Sequence, residues 1–170
     1  MFMFRQMRRK NQQLSENEVS AILEKSTYGV LSVQGDDGYP YGVPLNYAVS
    51  HQSGLCLYFH CAKEGHKLEG LKRSKKVSFC VVCDDEVIPE KLTTAYASVV
   101  LFGTADLVRH EKEKYDALRL LTERFSPGYE KEGEEEIQKF WDSVEIIRLD
   151  VESVTGKAGQ EWLKWRSAKD

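Results

Sequence analysis

Gly65, His66 and Lys67 stand where an alternating apolar segment gives way to a helical one. Leu55, Leu57 and Phe59 fall on one side of that segment, and Cys56, Tyr58 and His60 on the other, which is the period of a strand. A strand that runs into a helix start is a place to hold an anion. The first-turn N–H groups have no partner within the helix, and the helix dipole favours negative charge there. Lys67 and His66 add side-chain donors, and Gly65 permits close approach to the backbone. The expected chemistry is phosphate binding at the edge of a β structure.

A second pair of reactive residues points elsewhere. Cys80 and Cys83 have CxxC spacing. Redox pairs of that kind sit at a helix N-terminus, whereas this pair falls in the segment around Val77–Val82, an apolar run that reads as a buried strand. The two thiols are therefore read as small core residues. No further ligands stand at zinc-site spacing, and no metal is expected.

The elements that must position these residues follow from periodicity. Ser15 to Glu18 forms a capping box and opens a helix over 15–26, with Val19, Ile22 and Leu23 on its apolar face. Tyr28–Val33 is a first strand, and Asp36-Asp37-Gly38 a turn. Tyr41, Val43, Leu45, Tyr47 and Val49 alternate with Gly42, Pro44, Asn46 and Ala48 along a second strand. The third strand carries His60 and leads to a short helix from Gly65 to Arg73. Val77–Val82 is a fourth strand, followed by a polar connection from Asp84 past Pro89, then a long strand from Tyr96 to Val108. Two helices come next, with stripes Leu118, Leu121, Phe125 and Ile137, Phe140, Trp141, Val144. A last strand carries Ile147, Leu149 and Val151, and the tail 156–170 carries Trp162 and Trp165. Six strands in hairpin order with late helices predict a mainly β, α+β domain over 1–170: an antiparallel sheet or small barrel with peripheral helices.

Composition bounds the partners. The 170 residues carry a net charge of −3, which argues against a dominant nucleic-acid surface. No apolar run approaches the ~20 residues of a membrane span, and the basic start has no signal-peptide core. A cytoplasmic protein without membrane or nucleic-acid partners is expected.

Several motifs form one ordered series: Met7-Arg8-Arg9, Gly38 to Tyr47, Tyr58 to Ala62 with Gly65-His66-Lys67, Val77-Ser78-Phe79, Thr94 to Val100 with Gly103, and Thr155-Gly156-Lys157. The series resembles the flavin-binding split-barrel proteins related to pyridoxamine 5′-phosphate oxidase, and within them the nitroimidazole-resistance branch. The resemblance implies a six-stranded split β-barrel, a homodimer, and FMN held between the subunits. By it, Lys67 with Gly65 and His66 holds the FMN phosphate. His60, Cys61 and Ala62 line the ribityl chain and ring, and Val43, Pro44, Leu45 and Asn46 lie along the isoalloxazine, partly through backbone groups. Tyr96 and Ser98 are residues that one subunit lends to the other's flavin. Cys61 stands where many relatives carry serine or glycine. The arginine-rich C-terminal motif of the oxidases that act on pyridoxamine phosphate is absent from this sequence.

Two functions follow. One is an FMN-dependent oxidoreductase of a flat, electron-poor small molecule such as a nitro-aromatic, with His60 the candidate catalytic residue. The other is a flavin- or haem-binding sensor or storage module without turnover. His60 itself reads either as a flavin neighbour or as an edge-strand histidine with an ordinary hydrogen bond.

Overall fold

Alternation of apolar and polar residues dominates the chain and produces seven strands in this computed structural model, which describes residues 4–167. The strands are β1 (Tyr28–Gln34), β2 (Pro40–Asn46), β3 (Ala48–Ser50), β4 (Cys56–Ala62), β5 (Lys76–Ile88), β6 (Thr93–Leu107) and β7 (Val144–Ala158). The helices are α1 (Glu16–Lys25), α2 (His66–Arg73), α3 (Glu111–Phe125), α4 (Glu130–Phe140) and α5 (Gln160–Ser167). All strand pairs are antiparallel, in the order β2-β1-β5-β6-β7-β4-β3. The strands β2 and β3 are consecutive in the chain yet lie at opposite edges of that order. The sheet therefore curls round until its edges meet.

This explains why seven strands stand where six are expected. The expected second strand is interrupted at Tyr47. Before it, residues 40–46 pair with β1, with Asn46 opposite Tyr28; after it, residues 48–50 pair with β4, with Ala48 opposite Tyr58.

Three other boundaries differ from expectation. The strand β5 runs on through Asp84–Glu86, because the β5–β6 hairpin projects into water and needs no apolar face there. Its register shifts between Val82 and Asp84, which leaves Cys83 in a bulge. Neither Cys80 nor Cys83 is buried in the core; both are half-buried free thiols. Val144 fits the helical stripe of α4 but begins β7, where cross-strand bonds to β4 and β6 replace the helix. The expected tail thus shortens, since Gly156–Ala158 belong to β7 and Gln160–Ser167 form α5; residues 168–170 lie outside the described residues.

The barrel interior holds one core. Leu31, Tyr47, Phe59, Phe79, Val99, Leu101 and Leu149 are fully buried there. Phe79 meets Tyr47 and Phe59 edge-on at 5.1 and 5.0 Å, a geometry worth about 0.5–1.5 kcal/mol per pair beyond burial. Val19, Ile22 and Leu23 of α1 close the end near Gly156, and Leu68 and Leu71 of α2 close the end near Val33. A second cluster lies outside the barrel, where α3 and α4 cover Cys56, Tyr58 and Ile146.

Among the described residues, no helix covers the remaining outer face. Tyr28, Val30 and Ser32 of β1, Ser78, Cys80 and Val82 of β5, and Ser98, Val100 and Phe102 of β6 stand in rows across it. None of these residues is charged. Phe4 stacks on Phe102 at one margin, with ring centroids 5.7 Å apart. Among the described residues, no helix is long and apolar enough to cross a membrane.

The Tyr47 break is tied down from two sides. Its hydroxyl donates to the Leu23 carbonyl at 2.8 Å, and burial pushes the phenol far above its ordinary pKa. Arg124 of α3 donates to the carbonyls of Leu23, Glu24 and Ser26 at 2.7, 3.0 and 2.7 Å, so it satisfies the C-terminal end of α1. Urea unfolding of Tyr47→Phe should therefore show a loss of about 1 kcal/mol, and of Arg124→Met about 2–3 kcal/mol, because its bonds are charge-assisted. Equal losses in the two variants would contradict this ordering.

Candidate functional site

The change of partner at Tyr47 opens a cleft. Continuing the β3–β4 register backwards would set Asn46 opposite His60 and Pro44 opposite Ala62. No such ladder forms: among the described residues β2 pairs only with β1, and β4 beyond Tyr58 only with β7. Each strand keeps one edge free, and the two free edges face each other. Unpaired backbone donors and acceptors are expensive to bury and are available to a ligand.

The far end of this cleft is the start of α2. The Gly65 N-cap has φ 134° and ψ 166° and no side-chain cap, a conformation that is essentially restricted to glycine. By contrast, α1 is closed by its expected capping box between Ser15 and Glu18. His66 stacks on Tyr41 with ring centroids 4.0 Å apart, and its Nε2 lies 3.3 Å from Asp36. That stack holds α2 against β2. Arg73 also pairs with Asp36. Lys67 is half-buried and has no ion pair or side-chain hydrogen bond among the described residues. From Asn46 to Tyr41 the strand rises about 17 Å at its usual spacing. A molecule with a flat ring at one end and a phosphate at the other fits that length and that distribution of charge.

Most of the expected site residues meet here, though not all by their side chains. Asn46, His60, Cys61 and Ala62 line a groove beside the cleft. Val43 and Leu45 point inward and pack on the barrel core, so only their backbone borders the cleft, and Pro44 offers no N–H. Asn46 Nδ2 donates to the Thr27 carbonyl at 2.8 Å. Burial raises the Cys61 thiol above its ordinary pKa, against the opposing charge of Lys67; it remains a neutral thiol at pH 7. His60 is exposed, and its ring has no hydrogen bond or ion pair among the described residues. The expected ordinary hydrogen bond of an edge histidine is therefore not made.

Tyr96 and Ser98 are not brought to this cluster. Ser98 is on the uncovered outer face, opposite Val82 of β5, and Tyr96 lies near the start of β6 with Lys157 Nζ 5.4 Å from its ring centroid. Sequence reasoning missed the α3–α4 hairpin as part of the site. It placed Phe125 and Phe140 on the apolar stripes of their helices, and both are exposed at the groove, because helical period identifies a stripe but not what faces it.

A polar network positions the hairpin. Glu113 of α3 accepts from Tyr58 Oη at 2.9 Å and from Arg148 at 2.8 Å. Burial alone would raise the Glu113 carboxyl, but these two donors hold it below its ordinary pKa. A depressed carboxylate stabilises the fold above its unfolded pKa and loses that contribution as pH falls through the folded value. Glu113→Gln should thus flatten the acid limb of a stability–pH curve below the ordinary glutamate range, as measured by thermal melts. An unchanged acid limb would mean that Glu113 does not anchor α3.

With this geometry established, comparison with known proteins supplies context. A family model described as pyridoxamine 5′-phosphate oxidase matches residues 15–158. A candidate 5-nitroimidazole antibiotic resistance protein from Bacteroides thetaiotaomicron has a similar structure, with TM-score 0.69, 18% identity, and 86% of each chain covered. An FAD-binding protein from Mesorhizobium loti gives TM-score 0.60 and 26% identity over 88% of this chain and 98% of that one. An FAD and heme binding protein from Mycobacterium smegmatis gives TM-score 0.71 and 20% identity, over 94% and 80%. Among curated proteins, none matches this sequence significantly.

Proposed function

This chain belongs to the pyridoxamine 5′-phosphate oxidase family, and from that premise we propose that it is a flavoprotein. In this reading it holds FMN along the β2–β4 cleft and acts as an oxidoreductase on a flat, electron-poor compound such as a nitro-aromatic. The observation that carries the reading is the pair of facing free edges that ends at an uncapped helix with an unpaired lysine.

The roles divide along the cleft. Lys67 and the first-turn amides hold the phosphate, and Gly65 lets it approach. Cys61 and Ala62 run beside the connecting chain. The backbone of Val43, Leu45 and Asn46 borders the ring. His60 stands at the ring end as a contact; without an orienting partner it is poorly placed to deliver a proton at a fixed atom. A bound flavin supplies transfer of electrons or hydride to an acceptor lying flat on its ring. The protein supplies position and exclusion of water. Two of the similar structures are FAD-binding proteins. The choice of FMN rests on the anion-holding end at Gly65–Lys67, and mass spectrometry of the extracted cofactor distinguishes the two.

A homodimer is part of the same proposal. The uncharged rows of β1, β5 and β6 run up to Asn46 at the cleft. A second copy packed there would cover that face, and Ser98 and Tyr96 could then reach the partner's flavin. A flavin- or haem-binding module without turnover is the second reading. It is favoured by the exposed, unpartnered imidazole of His60 and by the likeness to an FAD and heme binding protein. A Soret band in the purified protein would identify it.

Lys67→Ala should weaken FMN binding by about 1.5–3 kcal/mol, the scale of a charge-assisted hydrogen bond, and leave riboflavin binding nearly unchanged. Fluorescence titration checks both, and equal losses would remove Lys67 from the phosphate. Sedimentation of the FMN-bound protein should give a dimer, whose interface at more than ~2,000 Å² would be typical of obligate pairs. A stable monomer with full FMN occupancy would contradict that part.

A further inference from the structure

The groove between the α3–α4 hairpin and the outer face of β4 has chemistry that the cleft does not use. Its volume is about 760 Å³. Leu118, Leu121 and Ile137 are its buried floor, while Phe125, Tyr129 and Phe140 stand at its rim, 36%, 61% and 44% exposed. Large rings left in water around one concavity mark a binding place rather than scattered surface residues. The helices α3 and α4 are in contact at the wall of the groove itself. A Cβ on Gly133 would lie 2.3 Å from Thr122 Cγ2, so α3 and α4 already touch there. Asn46 and His60, at the ring end of the cleft, also line the groove.

Charge selects among flat molecules. Glu132 and Glu136 line the groove. Glu136 is paired with Lys139 at 2.9 Å, whereas Glu132 has no cationic partner among the described residues. Arg124, 5.6 Å from the Phe125 ring, spends its hydrogen bonds on Leu23, Glu24 and Ser26. Lys139 Nζ rests 4.6 Å from the Phe140 centroid, with its charge met by Glu136.

We propose that this groove binds the acceptor, and that the acceptor is a planar aromatic compound, neutral or cationic, without a carboxylate or phosphate. The proposal rests on the flavin reading above for the meaning of "acceptor". Aromatic walls reward a flat π-system, and an anion would meet Glu132, while the nearby cations Arg124 and Lys139 are already engaged with Glu24 and Glu136.

The test uses three nitrobenzenes that differ at one position: 4-nitrobenzyltrimethylammonium, 4-nitrobenzyl alcohol and 4-nitrobenzoate. Their binding to the full chain is measured by calorimetry at low ionic strength, with and without FMN. The cation and the alcohol should bind, and the benzoate about tenfold more weakly than the cation, the scale of exchanging an attractive for a repulsive charge near the surface. Glu132→Lys should abolish that preference. The double variant Tyr129→Ala/Phe140→Ala should weaken the cation about tenfold with FMN affinity unchanged. Equal affinity for cation and benzoate would overturn the proposal, as would probe binding that survives the double variant. Loss of the dimer, in place of probe binding, would assign the groove to a second copy and overturn it too. If the protein takes up no flavin, the flavin reading falls, but the charge order in the flavin-free chain still decides whether the groove binds such compounds.

Discussion

A strand has two edges and can pair with a neighbour along each, yet the segment 40–50 uses its two edges over different residues. It bonds to β1 up to Asn46 and to β4 from Ala48. The barrel is closed at one end by this strand and left split at the other. The proposed flavin site lies in the split, and the strand can be broken there because Tyr47 is anchored. Its ring is buried against Phe79, its hydroxyl reaches the end of α1, and Arg124 joins α3 to the same carbonyls. The fold thus fixes the opening through contacts that lie behind it.

The two helix starts show how stability and function separate. Both α1 and α2 close the barrel with apolar side chains. α1 satisfies its own first-turn donors with Ser15 and Glu18, which contributes about 1 kcal/mol of stability. α2 begins on a glycine at positive φ and has no side-chain cap for its first-turn donors. An element that gives up its cap, carries an unpaired lysine and borders two free strand edges is less stable than it could be. Such local conflicts mark places where a ligand completes the structure.

What the sequence made legible was local. The capping box, the alternation that puts Leu57 and Phe59 inside and His60 outside, and the helix start at Gly65–Lys67 are patterns of a few residues, and all stand in the structure. The partner change at Tyr47 was not legible, because alternation through Tyr41, Val43, Leu45, Tyr47 and Val49 continues unbroken across it. Period two records which face a side chain takes, not which neighbour its backbone bonds. Asp84–Glu86 looked like a connection because a hairpin tip in water needs no apolar face. Phe125 and Phe140 fitted helical stripes, but the stripe does not say whether a sheet or a groove lies opposite. Val43 and Leu45 were named for the site by resemblance, and their inward side chains confine them to backbone contacts.

The central claim is that the facing free edges of β2 and β4, with the start of α2, hold one flavin. Hydrogen–deuterium exchange with and without FMN tests it most directly, because it reads the backbone groups themselves. The account predicts slowed exchange in the segments 43–46, 60–62 and 65–67 together, with α1 unchanged. Protection confined to the α3–α4 hairpin, or no protection of the two strand edges at saturating FMN, would contradict it.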